Sequence, residues 1–130
     1  MGTISKTKGY ENIYQHISFD KEFRSMFGKA VPKRYQNRLD KRLVELEKSG
    51  KLAIDGVQFE KLEGKAGKAG LCSIRYTKSV LNPRVIYAYM IDDKHVVLLS
   101  AFLEKGAADY INPTKKALLR LATIKEELGL

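Results

Sequence analysis

Apolar residues change their spacing along this chain. Between Asp20 and Gly50 they recur at helical intervals, first as Phe23, Met26 and Phe27, then as Tyr35, Leu39, Leu43 and Leu46. The second set is the one-sided stripe of an amphipathic helix. Asp20 is a candidate N-cap for the first run, and Pro32 suits the first turn of the second. Gly28 and Gly50 stand where the two runs should stop. After residue 51 the period shortens. Val57–Leu62 reads as a short extended segment and Leu71–Lys78 as a strand. Arg84–Ile91 and His95–Leu103, rich in β-branched and aromatic residues, read as two more. Asn82-Pro83 and Asp92-Asp93-Lys94 supply the turns between them, and Gly64, Gly67 and Gly70 mark Glu63–Gly70 as a loop. Asn112-Pro113 opens a last helix, with Leu118, Leu121, Ala122, Lys125 and Leu128 expected along its buried face. Ile13–Phe19 alternates as a strand would, and residues 1–12 read as a loose tail.

Helices, then a three-strand meander, then a helix predict an α+β fold, not a parallel α/β sheet. The continuous apolar runs of the last two strands predict a sheet covered by helices on at least one side. The 130 residues are one domain's worth, placed at 13–130 behind the tail, and suffice for a core without disulfides or a structural metal.

Charge narrows the partners. Twenty-four Lys and Arg against fifteen Asp and Glu leave +9, an excess that concentrates polyanions near the surface. Nucleic acid is the commonest such partner, and a solvated basic surface with no partner is the alternative. Cys72, the single cysteine, rules out an intrachain disulfide and sits in an apolar run that suits a buried thiol. The N-terminus lacks an apolar signal core, and no run reaches a membrane span, so a cytoplasmic protein without membrane contact is expected.

Several chemistries are set aside. The glycine run lacks the Lys-Ser/Thr ending of a phosphate loop, and there is no Gly-x-Ser-x-Gly elbow. With a single Cys, and His16 and His95 isolated from any spaced ligand partner, no metal site and no cofactor is expected. What remains is a set of cations, a carboxylate and a phenol. Arg75 shares a strand face with Leu71, Ser73 and Thr77, so it must reach solvent or find an anion. Arg84, across the turn, could stand beside it as a second phosphate ligand. The competing reading pairs Arg75 with Glu60 or Glu63. Beyond the third strand, Glu104, Lys105 and Tyr110 offer an acid, a base and a phenol in a loop. Tyr110 equally suits simple packing against the last helix. Lys61, Lys65 and Lys68 on and around the glycine run, and Lys33, Arg34, Arg38 and Lys41 on the outer face of the long helix, are the candidate RNA-backbone contacts. Each group is also what a plain solvated surface looks like.

Phe59-Glu60-Lys61-Leu62-Glu63-Gly64 followed by Gly70-Leu71-Cys72-Ser73-Ile74-Arg75-Tyr76 resembles the "K-L-x-G … L-x-E-x-R" signature of RelE-like toxins. Arg84-Val85-Ile86-Tyr87 and Val96–Lys105 resemble the two following strands of the phage-derived, HigB-like branch of the RelE/ParE superfamily, and Asp109-Tyr110 with Ala117 and Arg120 its C-terminal end. The resemblance spans roughly residues 13–128 and rests on order and spacing more than on any one piece.

The resemblance implies the toxin of a type II toxin–antitoxin pair, a ribosome-dependent mRNA endonuclease acting in the A site without metal. Its fold would be two N-terminal helices against a curved, mostly antiparallel sheet, with a C-terminal helix. The ribose 2′-hydroxyl would attack the adjacent phosphate, with Arg75 and Arg84 stabilising charge, Lys105 and Tyr110 assisting, and Lys61 and Lys65 holding the backbone. The implied partners are mRNA, the ribosome and an antitoxin with a helix-turn-helix domain. Two positions depart from the pattern. Glu104-Lys105 stands where many relatives carry two lysines, and Ser73 where they carry glutamate. The wider superfamily also holds gyrase inhibitors without nuclease activity, so a non-enzymatic inhibitor of a protein target and a nuclease-inactive RNA binder stay open beside the endonuclease.

Overall fold

The computed structural model describes residues 3–56, 58–76, 81–90, 92 and 94–129. Its strands are β1 (Ile4–Lys6), β2 (Ile13–His16), β3 (Phe59–Lys61), β4 (Leu71–Arg75), β5 (Pro83–Tyr89) and β6 (Val96–Leu103). Its helices are α1 (Phe19–Ser25), α2 (Lys33–Ser49), α3 (Gly64–Lys68) and α4 (Ile111–Leu128). Among the described residues the strands form one sheet in the order β1-β2-β6-β5-β4-β3. Every neighbouring pair is antiparallel except β2–β6, which is parallel, so the sheet is mixed and the fold is α+β.

Period-two alternation splits the strands between two cores. One side gathers Ile13, Phe59, Cys72, Ile74, Tyr76, Val85, Tyr87, Val96 and Leu98 under α1 and α2, which contribute Phe19, Phe23, Tyr35, Leu39, Leu43 and Leu46. The other gathers Leu71, Ile86, Ala88, Val97 and Leu99 under α4, which contributes Ala117, Leu121 and Ile124. A sheet buried on both faces explains why β5 and β6 read as continuous apolar runs. A register shift between Ile86 and Tyr87 against β6 inserts Leu99 as an extra residue, which lets both flanking stretches keep their apolar faces inward.

The tyrosines and α2 lock together at one end of the sheet. Tyr76 donates its hydroxyl to the Tyr35 carbonyl at 2.8 Å, and the two rings stack 5.9 Å apart. Burial pushes the Tyr76 phenol well above its ordinary pKa, so it remains a donor there. On the other side of β6, β2 stops at His16, so beyond Leu98 β6 is paired on its β5 side only. Arg120 of α4 fills part of that gap, donating to the Leu99 carbonyl at 2.7 Å while gripping Glu22 of α1 through both terminal nitrogens.

Several expectations need correction. Residues 4–6 are not a loose tail but β1, paired with β2 from Ile4↔His16 to Lys6↔Tyr14. The two N-terminal helices therefore follow two strands. Glu63–Gly70 is not a plain loop, since Gly64–Lys68 makes a helical turn and a half. Gly67 is required there, because a Cβ would stand 1.9 Å from the Leu62 carbonyl oxygen. Asp20 lies inside α1, whose N-cap is Ser18 without a side-chain bond, and Pro32 precedes α2 as its N-cap. Met26 and Phe27 lie past the end of α1. On α4 the fully buried stripe is Ala117, Leu121 and Ile124; of the expected face Leu121 is buried and Leu118 packs against the same core, while Ala122 and Leu128 are exposed. The alternation of leucines and lysines there allows two stripes, and the sheet selects the one with small Ala117 nearest the strands. Val57, Ile91, Asp93 and residues 77–80 lie outside the described residues.

Candidate functional site

The last residues of β4, the first of β5 and the last of β6 meet at one end of the sheet. Arg75 stands directly opposite Arg84, and Arg84 opposite Phe102. By alternation these three side chains share the face that α4 only partly covers, along with Ser73 and Ser100. The turn Ala107–Tyr110 then folds back over them, so the Tyr110 ring meets Phe102 edge-on with centroids 4.9 Å apart. That turn is held by Asp109, whose carboxylate accepts the Lys105 and Gly106 amides at 2.6 and 2.9 Å. Those two bonds hold the Asp109 carboxyl below its usual range.

Arg84 organises the cluster. It is buried, yet its Nε donates to Glu104 Oε1 at 3.1 Å and to the Tyr110 hydroxyl at 3.2 Å. Its Nη1 is spent on the carbonyls of Pro83 and Tyr76 at 3.2 and 3.5 Å. Among the described residues Nη2 has no hydrogen-bond partner. Burial raises the Tyr110 phenol above its ordinary pKa, against the pull of Ser73 and Arg84, so it is protonated at neutral pH. Ser73 Oγ lies buried beside it without closing a hydrogen bond of good geometry. Arg75 pairs with Glu60 at 2.8 Å, both partners about a third exposed, so the carboxylate reading of Arg75 is the one realised. Such an exposed pair is weak and exchangeable. Both guanidiniums therefore face carboxylates, and no open two-arginine pocket exists among the described residues.

An open groove of about 400 Å³ runs beside the cluster, lined by Glu60, Leu62, Glu63, Ala66, Tyr110 and Thr114. Lys65 and Lys68 are exposed on α3 beside it, whereas Lys61 stands opposite Cys72 and so lines a separate pocket with Lys51, Ile54 and Tyr89 on the α2 face. Lys105 is exposed too, its side chain in no recorded bond to the cluster. Lys33, Arg34, Arg38 and Lys41 lie on α2, across the sheet from Tyr110. They are not remote from it, because the Arg38 guanidinium covers the Tyr76 ring at 5.2 Å, next along β4 from Arg75. Arg34 covers the Tyr35 ring at 5.0 Å. The basic surface of α2 and the Arg84 cluster thus occupy the same end of the sheet on opposite faces.

Of the five reactive candidates, the structure bonds Arg84, Glu104 and Tyr110 into one cluster, sets Arg75 opposite Arg84 but paired with Glu60, and leaves Lys105 outside; sequence patterns bring out all five alike. They do not single out Phe102, whose partner Tyr110 is eight residues on, nor Arg42, half-buried with its Nε unbonded. Burial and the neighbouring Arg38 lower the Arg42 pKa, a consequence of one-turn spacing that the sequence does carry. Among the described residues no group of His, Cys, Asp and Glu could hold a metal ion, and no helix is long and apolar enough to cross a membrane. Cys72 is buried, and burial raises its thiol pKa. Comparison with protein-family models, curated proteins and solved structures finds no match.

Proposed function

We propose that this chain is the toxin of a type II toxin–antitoxin pair, an endoribonuclease of RelE/HigB type that cuts mRNA in the ribosomal A site and so inhibits translation. One observation carries the chemistry. A single buried guanidinium, Arg84, holds a carboxylate and a protonated phenol on the same nitrogen, with a second guanidinium directly across the strand pair. A base, an acid and a cation within one hydrogen-bonded group suit a phosphodiester cleaved by its own 2′-hydroxyl. In this reading Glu104 accepts the 2′-hydroxyl proton as the 2′-oxygen attacks phosphorus. Arg75, released from Glu60, and Arg84 Nη2 face the charge that develops on the phosphoryl oxygens. Tyr110 gives its proton to the departing 5′-oxygen and recovers one in turnover. The products are a 2′,3′-cyclic phosphate and a 5′-hydroxyl, with no metal in the step. Lys61, Lys65, Lys68 and the α2 cations Lys33, Arg34, Arg38 and Lys41 hold the RNA backbone, and Lys105 meets phosphate from the rim. The antitoxin would be a small protein covering this end of the sheet, with a helix-turn-helix domain for its own operator.

A second reading has its own observation. Glu60 and Glu104 already neutralise Arg75 and Arg84, which suits a relative that binds RNA without cutting it. Induced expression in a bacterial host separates the readings, with primer extension on one abundant message. The endonuclease gives growth arrest and discrete, translation-dependent cuts that disappear with Arg75→Ala. Arrest with intact message points instead to a protein target such as gyrase, and no arrest to the RNA binder.

A further inference from the structure

A second cavity lies on the other face of the sheet, away from the Arg84 cluster. It holds about 270 Å³ between the β1–β2 hairpin and helices α1 and α2. Its apolar wall is Phe19, Phe23, Leu39, Leu43 and Leu98. The rest of its lining is polar, and two of the polar residues are buried against it. Gln15 occupies a core-facing position of β2, opposite Leu98, and is 7 % exposed. Thr7 is 9 % exposed and donates to Gln15 Oε1 at 3.0 Å. That bond commits the amide oxygen of a residue that lines the cavity, and among the described residues its amide nitrogen has no acceptor. On the α2 side Asp40 lines the same cavity. Its Oδ1 accepts Gln36 Nε2 at 3.2 Å and the Tyr10 hydroxyl at 3.5 Å, and its Oδ2 has no partner among the described residues. Lys6 and Lys8, both exposed, stand among the lining residues contributed by the β1–β2 hairpin.

We propose that this cavity binds a guanine nucleotide, with Asp40 and Gln15 reading the base and Lys6 and Lys8 meeting its phosphate. Donors and acceptors select the ligand. Asp40 is acceptor-only and Gln15 offers only N–H, so the ligand must present an N–H donor and a carbonyl acceptor on a flat apolar body. Guanine does this along one edge, with its N1–H and exocyclic amine for the carboxylate and its O6 for the amide. Adenine reverses the pattern, placing an amine against Gln15 and an unprotonated N1 against Asp40, which leaves both pairs repulsive. Phe19 and Phe23 contribute to the cavity's floor, and the volume suits one base with part of its ribose. The same chemistry could come from free nucleotide or from an unstacked guanosine in single-stranded RNA. This site is separate from the Arg84 cluster and does not depend on any nuclease activity.

The test is calorimetric titration of the intact chain with 5′-GMP, 5′-AMP and a short single-stranded RNA carrying one guanosine or none. Saturable 5′-GMP binding is expected, with 5′-AMP weaker by at least about tenfold. Asp40→Asn and Gln15→Leu should each lower 5′-GMP affinity by about tenfold or more, with unchanged circular dichroism. Tight binding by the guanosine RNA and weak binding by 5′-GMP, lost in the same two variants, would assign the site to RNA and keep the guanine reading. No binding by either guanine ligand overturns the proposal, as does equal affinity for 5′-GMP and 5′-AMP. Should either variant fail to fold, the comparison of the two nucleotides on the parent chain still decides.

Discussion

Arg84 does two jobs that pull in different directions. As a buried cation it needs Glu104 and the carbonyls of Pro83 and Tyr76, and as the centre of the proposed reactive group it holds Tyr110, which lines the groove, and keeps Nη2 uncommitted among the described residues. Removing it leaves Glu104 partly buried without its partner. Arg84→Ala should therefore cost about 2–4 kcal/mol of stability, read as a lower denaturant midpoint at unchanged slope. Tyr110→Phe is the cleaner probe. It keeps the edge-on contact with Phe102 and removes only the hydroxyl, so stability should fall by no more than about 1 kcal/mol while cleavage falls about a hundredfold or more. The sequence carried Arg75, Arg84 and Tyr110 as candidates because strand parity and turn position are local properties. It offered Glu60 only as one of two alternatives for Arg75, and no partner for Arg84. Glu60 and Glu104 reach their arginines through pairing register across different strands, which no local period encodes.

Among the elements, α1 and α4 sit on opposite faces of the sheet and meet where β2 ends. Their tie is Glu22, which accepts Arg120 at 2.6 and 2.8 Å and Lys116 at 3.3 Å. Burial alone would raise the Glu22 pKa, but the bonds and charges of Arg120 and then Lys116 outweigh it, and the net shift is downward from about 4.5. A depressed folded-state value means that the stabilisation is complete above about 4.5 and is lost as pH falls through the lower folded value. Acid unfolding should thus begin at higher pH in Glu22→Gln, which should also lose about 1–3 kcal/mol at neutral pH, measured by denaturant titration across a pH series. The helix α3 offers a steric counterpart. Gly67→Ala forces a methyl into the Leu62 carbonyl and should cost about 1–3 kcal/mol, with the β3–β4 end of the sheet losing amide-exchange protection. The long helix, the three central strands and the last helix were legible from periodicity. The strand β1 was not, because its three residues Ile4-Ser5-Lys6 form a run too short and polar to show a period, and only pairing with β2 makes them a strand. The spaced glycines resembled a loop because they are helix-poor residues. They are tolerated in α3 for close approach to Leu62 at Gly67 and for the left-handed turns at Gly64 and Gly70.

Taken whole, the molecule puts its basic α2 surface and its Arg84 cluster at one end of the sheet. A net charge of +9 on 130 residues makes any RNA complex strongly salt-dependent. If about four phosphates are neutralised, affinity for single-stranded RNA should fall about fiftyfold between about 50 and 200 mM salt. Charge reversal at Arg38 should flatten that slope without touching the Arg84 group. Composition carries the charge excess on which the proposed polyanion binding rests, and the α+β order of elements announced the layered sheet. The separation of reactive face from basic helix follows only from the sheet standing between them.

The most direct test of the endonuclease account uses purified ribosomes, a defined message and the purified chain. The account predicts ribosome-dependent cuts whose upstream fragments end in a 2′,3′-cyclic phosphate, formed without added metal beyond what the ribosome needs and abolished by Tyr110→Phe. A folded chain that binds the same ribosomes and leaves the message whole, or cuts it equally well as Tyr110→Phe, would contradict it.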